Sequence, residues 1–180
     1  DFSNASSPWL VYLPGSGCGR MNPNHSFVIR TIRSKRHFNL LVINKAGVGA
    51  DGSCRRKEFN LSSTRDQRLA DTLTIMDSLL RRDAKVLLIG ESEGGYAAPD
   101  VALTDVRVRA MVWISSGTRS WIDEEISFVA KAKQAKLRRF FDEEVRPNPS
   151  HDLFYNGWTY AQLVSYDNDK TMRALRSLRS

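Results

Sequence analysis

Residues 85–95 read KVLLIGESEGG, an apolar run from Val86 to Ile89 that ends in Gly90-Glu91-Ser92-Glu93-Gly94. A short continuous run of branched apolar residues closed by glycine reads as a strand buried on both faces, as in a parallel sheet. A helical pattern follows from Glu93 to about Leu103, with Pro99 as an awkward interior residue that kinks or shortens it. Strand, tight turn and helix form the setting in which a G-x-S-x-G spacing has chemical meaning. The turn must be so tight that its flanks carry almost no side chain, hence Gly90 and Gly94, with Gly95 adding room. It lifts the Ser92 hydroxyl clear of the sheet edge, beside a helix N-terminus that favours negative charge. Ser92 is the candidate nucleophile.

Three more strand-like runs lie outward from this one: Trp9–Leu13 (WLVYL), Asn39–Asn44 (NLLVIN) and Val108–Ser115 (VRAMVWIS). Between them, Thr64 and Gln67 have capping-box spacing ahead of Leu69, Leu73, Met76 and Leu80. That predicts an amphipathic helix of about five turns ending near Arg82, with Arg65, Asp66, Arg68, Asp71 and Asp77 mostly off its apolar face. Strands alternating with helices make the fold class α/β, with a mostly parallel sheet. After Gly117 the pattern changes. Ser120 caps a helix expected to run to about Glu144 on the stripe Ile122, Ile126, Val129, Leu137 and Phe140. Residues 146–152 (RPNPSHD) break it, a patch of Trp158, Tyr160, Leu163 and Val164 follows, and a last helix carries Met172, Leu175 and Leu178. No strand is expected over 118–180.

Composition narrows the function classes. A chain of 180 residues suits one domain. No apolar run approaches the roughly 20 residues that span a bilayer. The 27 Lys plus Arg against 20 Asp plus Glu give a net charge of +7. That surplus is scattered among acidic residues such as Asp123, Glu124, Asp142 and Glu143, with no RNA-binding aromatic signature or zinc-finger spacing. Solvated surface is the better reading, and no nucleic-acid partner is expected. Two cysteines are too few for a structural zinc site. Residues 1–8 (DFSNASSP) are polar and carry no signal-peptide core. The sequons at Asn4, Asn24 and Asn60 carry little weight, because N-x-S/T is common by chance.

The segment around Ser92 resembles the nucleophile elbow of the α/β-hydrolase fold, and Trp9–Cys18 (WLVYLPGSGC) resembles that family's third strand and oxyanion loop. The two together are similar to hydrolases related to dienelactone hydrolases and acyl-thioesterase members. The resemblance covers about residues 8–117. It implies a hydrolase core over 1–117, supplying the third to sixth of the usual eight strands, and a helical cap over 118–180. On this pattern the chain reads as a fragment. The resemblance further implies that Ser92 attacks an acyl carbonyl while the backbone N–H groups of Ser16 (or Gly17) and Glu93 hold the oxyanion. It implies no metal or organic cofactor and a small-molecule acyl substrate, an ester, thioester or related compound. A serine peptidase of the same fold and an inactive relative serving as a binding module are the rival functions.

The triad order Ser, Asp or Glu, His puts the acid and the base after the seventh and eighth strands, so neither is identified. His25 follows the oxyanion segment, His37 precedes a strand at the wrong sheet edge, and His151, beside Asp152, is a weak candidate base. Glu91 is expected in a structural hydrogen bond, with contact to a substrate amine or a cap residue as its alternative. Trp121, Phe128, Phe140, Phe141 and Trp158 either line an apolar acyl site or pack the cap core. In this fold Cys18 and Cys54 follow neighbouring strands. They either form a disulfide, which favours a periplasmic or secreted protein over a cytoplasmic one, or remain two free thiols.

Overall fold

The computed structural model describes residues 7–20, 22, 27–35, 37–116 and 120–167. His25, Gly117, the sequons at Asn4 and Asn24 and the helix expected to carry Met172, Leu175 and Leu178 lie outside those residues. The four apolar runs are β1 (Trp9–Leu13), β2 (Asn39–Val42), β3 (Val86–Glu91) and β4 (Val108–Ile114). They pair in parallel, in the order β2-β1-β3-β4. Parallel neighbours need long crossovers. α1 (Phe27–Lys35) joins β1 to β2, α2 (Arg56–Ser62) and α3 (Arg65–Leu79) join β2 to β3, and α4 (Glu93–Thr104) joins β3 to β4.

This order positions the site. From β1 the chain moves outward to β2, then crosses back over β1 to reach β3. The connections leaving β1 and β3 therefore part in opposite directions. They open a crevice at the carboxyl ends of the strands, the switch point at which open α/β sheets bind ligands. Successive β1 residues face opposite layers, which explains the unbroken apolar run. Val11 and Leu13 pack with Met76, Leu88, Ala97 and Val101 under α3 and α4, while Leu10 and Tyr12 pack with Ile29 of α1 and Ile89 on the other face.

Two expectations need correction in the helices. The helix after Thr64 ends at Leu79, short of Arg82, and its buried residues include Arg65, Arg68 and Thr72 as well as Met76. These four recur at helical spacing on one stripe, and the arginines are tolerated inside because acceptors await them. The helix expected from Ser120 to Glu144 is interrupted. α5 (Trp121–Phe128) starts on the Ser120 cap and stops where Val129 and Ala130 turn extended. The Ser127 hydroxyl donates to the Glu124 carbonyl just before the break, competing with the helical ladder. α6 (Lys131–Phe140) buries no residue and runs into a π-helical turn over Phe141–Val145.

A third correction concerns strands. Residues 154–159 form a short antiparallel hairpin, β5 (Phe154–Tyr155) and β6 (Trp158–Thr159), where none was expected. Asn156 and Gly157 both hold positive φ at its tip, as a two-residue primed turn requires. Thr159 and Gln162 then form a capping box that starts α7 (Tyr160–Tyr166). Residues of α5, α7 and the π turn gather into a second core of Trp121, Ile122, Phe141, Val145, Leu163 and Tyr166, anchored on Tyr96 of α4. Among the described residues, no helix is long and apolar enough to cross a membrane.

The join between β1 and α4 is a backbone-to-backbone contact. A Cβ on Gly94 would sit 2.1 Å from the Leu13 carbonyl oxygen and 2.8 Å from that of Pro14. Both obstacles are backbone, so neither can rotate away. Gly94→Ala is expected to cost about 3 kcal/mol or more in urea unfolding, whereas Gly19→Ala, with open space around it, should change stability by no more than about 0.5 kcal/mol.

Candidate functional site

Ser92 lies between the last residue of β3, Glu91, and the first of α4, Glu93. Its backbone holds φ 50° and ψ −117°, a conformation that costs a non-glycine residue about 1–3 kcal/mol and persists only when neighbours over-determine it. Those neighbours are visible. The Ser92 N–H donates to the Ile114 carbonyl at 2.8 Å, and the Gly95 N–H donates to the Ser92 carbonyl at 3.0 Å. The Ser116 hydroxyl donates to that same carbonyl. Gly90 clears Ala98, the Gly94 carbonyl and the Gly95 Cα, each 2.7 Å from where its Cβ would be.

The loop after β1 lies directly on this turn. A Cβ on Gly15 would be 2.9 Å from the Ser92 Cβ and 3.6 Å from its Oγ. The two segments singled out by sequence, Ser92-Glu93 and Gly15-Ser16, are therefore brought together. A cleft of about 340 Å³, lined by Leu73, Arg82 and Thr104, lies where α3 and α4 end and β4 begins, at the opposite end of the strands from Ser92. A cleft beside Ser16 holds about 200 Å³ and is lined by Ser16, Gly17, Arg56, Phe59, Asn156, Gly157 and Trp158. Of the aromatic residues considered for an acyl site, Trp158 lines this cleft. Trp121, Phe140 and Phe141 pack in the second core, and Phe128 is exposed.

Beneath the two loops is an ionic cluster that sequence reasoning missed. The Glu93 side chain is 0% exposed and pairs with Lys45 Nζ at 2.5 Å. Lys45 also donates to the Gly15 carbonyl at 3.0 Å and lies 4.9 Å from the centre of the Phe59 ring. The second Glu93 oxygen accepts from the Tyr166 hydroxyl at 2.9 Å. Arg68, also buried, donates to the Pro14 carbonyl at 3.3 Å. Burial pushes the Lys45 ammonium below its usual range, against the opposing pull of Glu93. Burial, with Glu93 beside it, holds the Tyr166 phenol well above its usual range. Next to this cluster, Arg65 pairs with Asp100 at 2.7 Å, and its backbone N–H reaches the Ser165 hydroxyl.

The other candidates fall as follows. Glu91 accepts from the Tyr12 hydroxyl, the structural role expected for it, and burial followed by Glu91 raises the Tyr12 phenol. His151 directs Nδ1 at the Asn60 carbonyl, 3.0 Å away, rather than at Asp152. A carbonyl only accepts, so Nδ1 carries the proton and Nε2 is the basic nitrogen. His151 does not line the cleft beside Ser16. His37 is exposed, just before β2, at the edge opposite Ser92. Cys18 and Cys54 form a disulfide that ties the loop after β1 to the loop after β2. Among the described residues, no group of three or more His, Cys, Asp or Glu side chains could hold a metal ion.

No protein-family model matches this chain, and no curated protein matches it. Among solved structures it superposes on a protein from Agrobacterium vitis S4 described as a hydrolase, with TM-score 0.54 and 15% identity over 91% of this chain. The chain spans 62% of that protein's length. It also aligns with a puromycin-hydrolyzing peptidase of Mycobacterium tuberculosis at TM-score 0.48 and 14% identity, over 74% of this chain and 20% of that one. An acetyl xylan esterase of Thermoanaerobacterium sp. JW/SL YS485 aligns at TM-score 0.45 and 16% identity, over 89% and 54%. The strand order and the first of these likenesses give the chain the α/β-hydrolase fold.

The disulfide closes a loop with a sequence separation of 36. Replacing both cysteines by serine should lower the unfolding free energy by about 4 kcal/mol on the chain-entropy estimate. Urea titrations of the two proteins measure this directly, and reduction of the native protein should move its midpoint in the same direction.

Proposed function

We propose that the protein is a serine hydrolase that cleaves an ester, thioester or related acyl bond through an acyl-enzyme on Ser92. The observation that carries this reading is the strained Ser92 backbone at the sheet's switch point, with Gly15 pressed against its side chain. Strain of this kind is held where function needs a side chain aimed in one direction.

In the proposed reaction Ser92 Oγ attacks the acyl carbonyl and its proton passes to an imidazole base. The carbonyl oxygen becomes an oxyanion held by the Glu93 and Ser16 N–H groups, each such donor being worth about 3–4 kcal/mol. The leaving group departs with the proton, and water then releases the acyl group by the same steps. Glu93 opens α4, so its N–H also carries the positive end of the helix dipole. We assign the base and its orienting acid to residues outside those described, because His37 is exposed at the opposite end of the strands and His151 is turned to the Asn60 carbonyl and does not line the cleft. The cleft between Ser16 and Trp158 is taken as the acyl-group site, and the segment 121–166 as the cap above it. The disulfide supports an oxidising compartment such as the periplasm or the exterior.

Intact-mass analysis after exposure to a fluorophosphonate tests the reading. One adduct per chain is expected, absent in Ser92→Ala, and hydrolysis of an activated ester should fall at least about 10⁴-fold in that variant. Labelling that survives Ser92→Ala, or no labelling of the native protein, overturns it. With matched leaving groups the ester should outpace the anilide; the reverse order would make the enzyme a peptidase.

A further inference from the structure

Lys45 has no place in the G-x-S-x-G motif and comes from the loop after β2, yet it touches both segments that flank Ser92. Its ammonium donates to the Gly15 carbonyl on one side and to the Glu93 carboxylate on the other. A trans peptide is planar, and its C=O and N–H point in opposite directions. Pulling the Gly15 carbonyl down onto Lys45 therefore turns the Ser16 N–H, in the same plane, away from Lys45. Arg68 fixes the preceding plane in the same way through the Pro14 carbonyl. On the other side, Glu93 is tethered through both carboxylate oxygens, to Lys45 and to Tyr166. The ammonium's place is itself restricted, because the Phe59 ring lies against it.

We propose that Lys45 is a positioning residue that sets the two oxyanion donors, the Ser16 and Glu93 N–H groups, at a fixed separation and orientation around Ser92. This rests on the acyl-transfer reading of Ser92. A surface lysine would be screened and mobile. A buried ammonium with two charged or carbonyl acceptors has one arrangement in which all its partners are satisfied. Developing negative charge on an oxyanion would gain from donors that need no reorganisation at the moment of reaction.

Lys45→Met tests this, since it keeps an unbranched aliphatic side chain and removes the donors, while Arg68 still faces Glu93 electrostatically. The fluorophosphonate inactivation constants KI and kinact separate binding from the step at Ser92. The expected result is a fall in kinact on the order of 100-fold, the scale of a small misplacement at a reacting centre, with KI within about threefold. Lys45→Arg, which keeps donors for both acceptors, should recover most of the loss.

Amide hydrogen exchange supplies a readout that needs no reaction. Exchange at Ser16 should quicken in Lys45→Met while amides in the middle of α4, such as Val101, keep their rates. Should Lys45→Met not fold, Tyr166→Phe keeps the buried ring and removes one tether of Glu93, and it should show the same pattern at smaller amplitude. Equal loss in KI and kinact, no rescue by arginine, or unchanged Ser16 exchange would overturn the proposal. Absence of any adduct on native Ser92 overturns the hydrolase reading instead, and the Ser16 amide then decides the role of Lys45 independently.

Discussion

The contact on which the rest depends is the approach of α4 to the end of β1. Gly94 lies so close to the Leu13 carbonyl that no side chain could stand there. Because α4 is seated this low, the single residue between β3 and α4 must turn the chain sharply, and Ser92 takes up a positive φ to do so. The loop after β1 is then left with one path, over the Ser92 side chain, and only a glycine at position 15 passes there. Strand order supplies the other half of this constraint. With β1 beside β3 and the chain reversing between them, those two loops share the crevice.

Burying charge under such a join is expensive. Removing an ammonium and a carboxylate from water costs several kcal/mol per ion, and pairing them often does no more than offset it. Lys45 and Glu93 are both almost wholly inaccessible, and Arg68 adds a second buried cation nearby. An apolar pair of equal volume in place of Lys45 and Glu93 would avoid that cost. It would leave the Gly15 carbonyl without its donor, as an apolar residue in place of Arg68 would leave the Pro14 carbonyl. The ionic cluster is thus the local solution to a hydrogen-bonding need created by the irregular loop, which has no strand partner once it leaves β1.

The strands and the elbow were legible in the sequence because their signals are local. Apolar runs of four to six residues, closed by glycine or serine, need no knowledge of distant partners. The elbow's glycines report the space around them, and that space is set within a few residues. The buried arginines were not legible. Arg65 and Arg68 read as polar residues on the outer side of an amphipathic helix, and what draws them inward, Asp100 and the Pro14 carbonyl, is far away along the chain. The pairing of Lys45 with Glu93 spans 48 positions and has no motif. The hairpin at 154–159 was legible after all, since Asn156-Gly157 is the strongest short hairpin signal, but strands of two residues leave no alternation to read. The aromatic residues of the helical segment looked equally suited to a pocket or a core. Packing decided for the core at Trp121, Phe140 and Phe141, with Tyr96 and Trp121 at 5.2 Å, whereas Phe128 is exposed and Trp158, 4.4 Å from Trp121, also lines the cleft.

The helical segment is bound to the turn at Ser92 more closely than a lid resting on a surface would be. Its last described helix ends at Tyr166, whose hydroxyl completes the shell of Glu93, and the adjacent Ser165 accepts the backbone N–H of Arg65 at the start of α3. Tyr166 also stacks edge-on against Tyr96, three residues into α4 from Glu93. Opening the segment away from the sheet would therefore expose a buried carboxylate and strip it of a donor, a cost that grows with the dryness of the site. The hairpin tip over Ser16 and Gly17 is a different matter, since only Asn156, Gly157 and Trp158 meet the cleft there. Under the proposed function the hairpin tip borders the acyl-group site, while α7 holds Glu93, and through it Lys45, beneath the loop after β1.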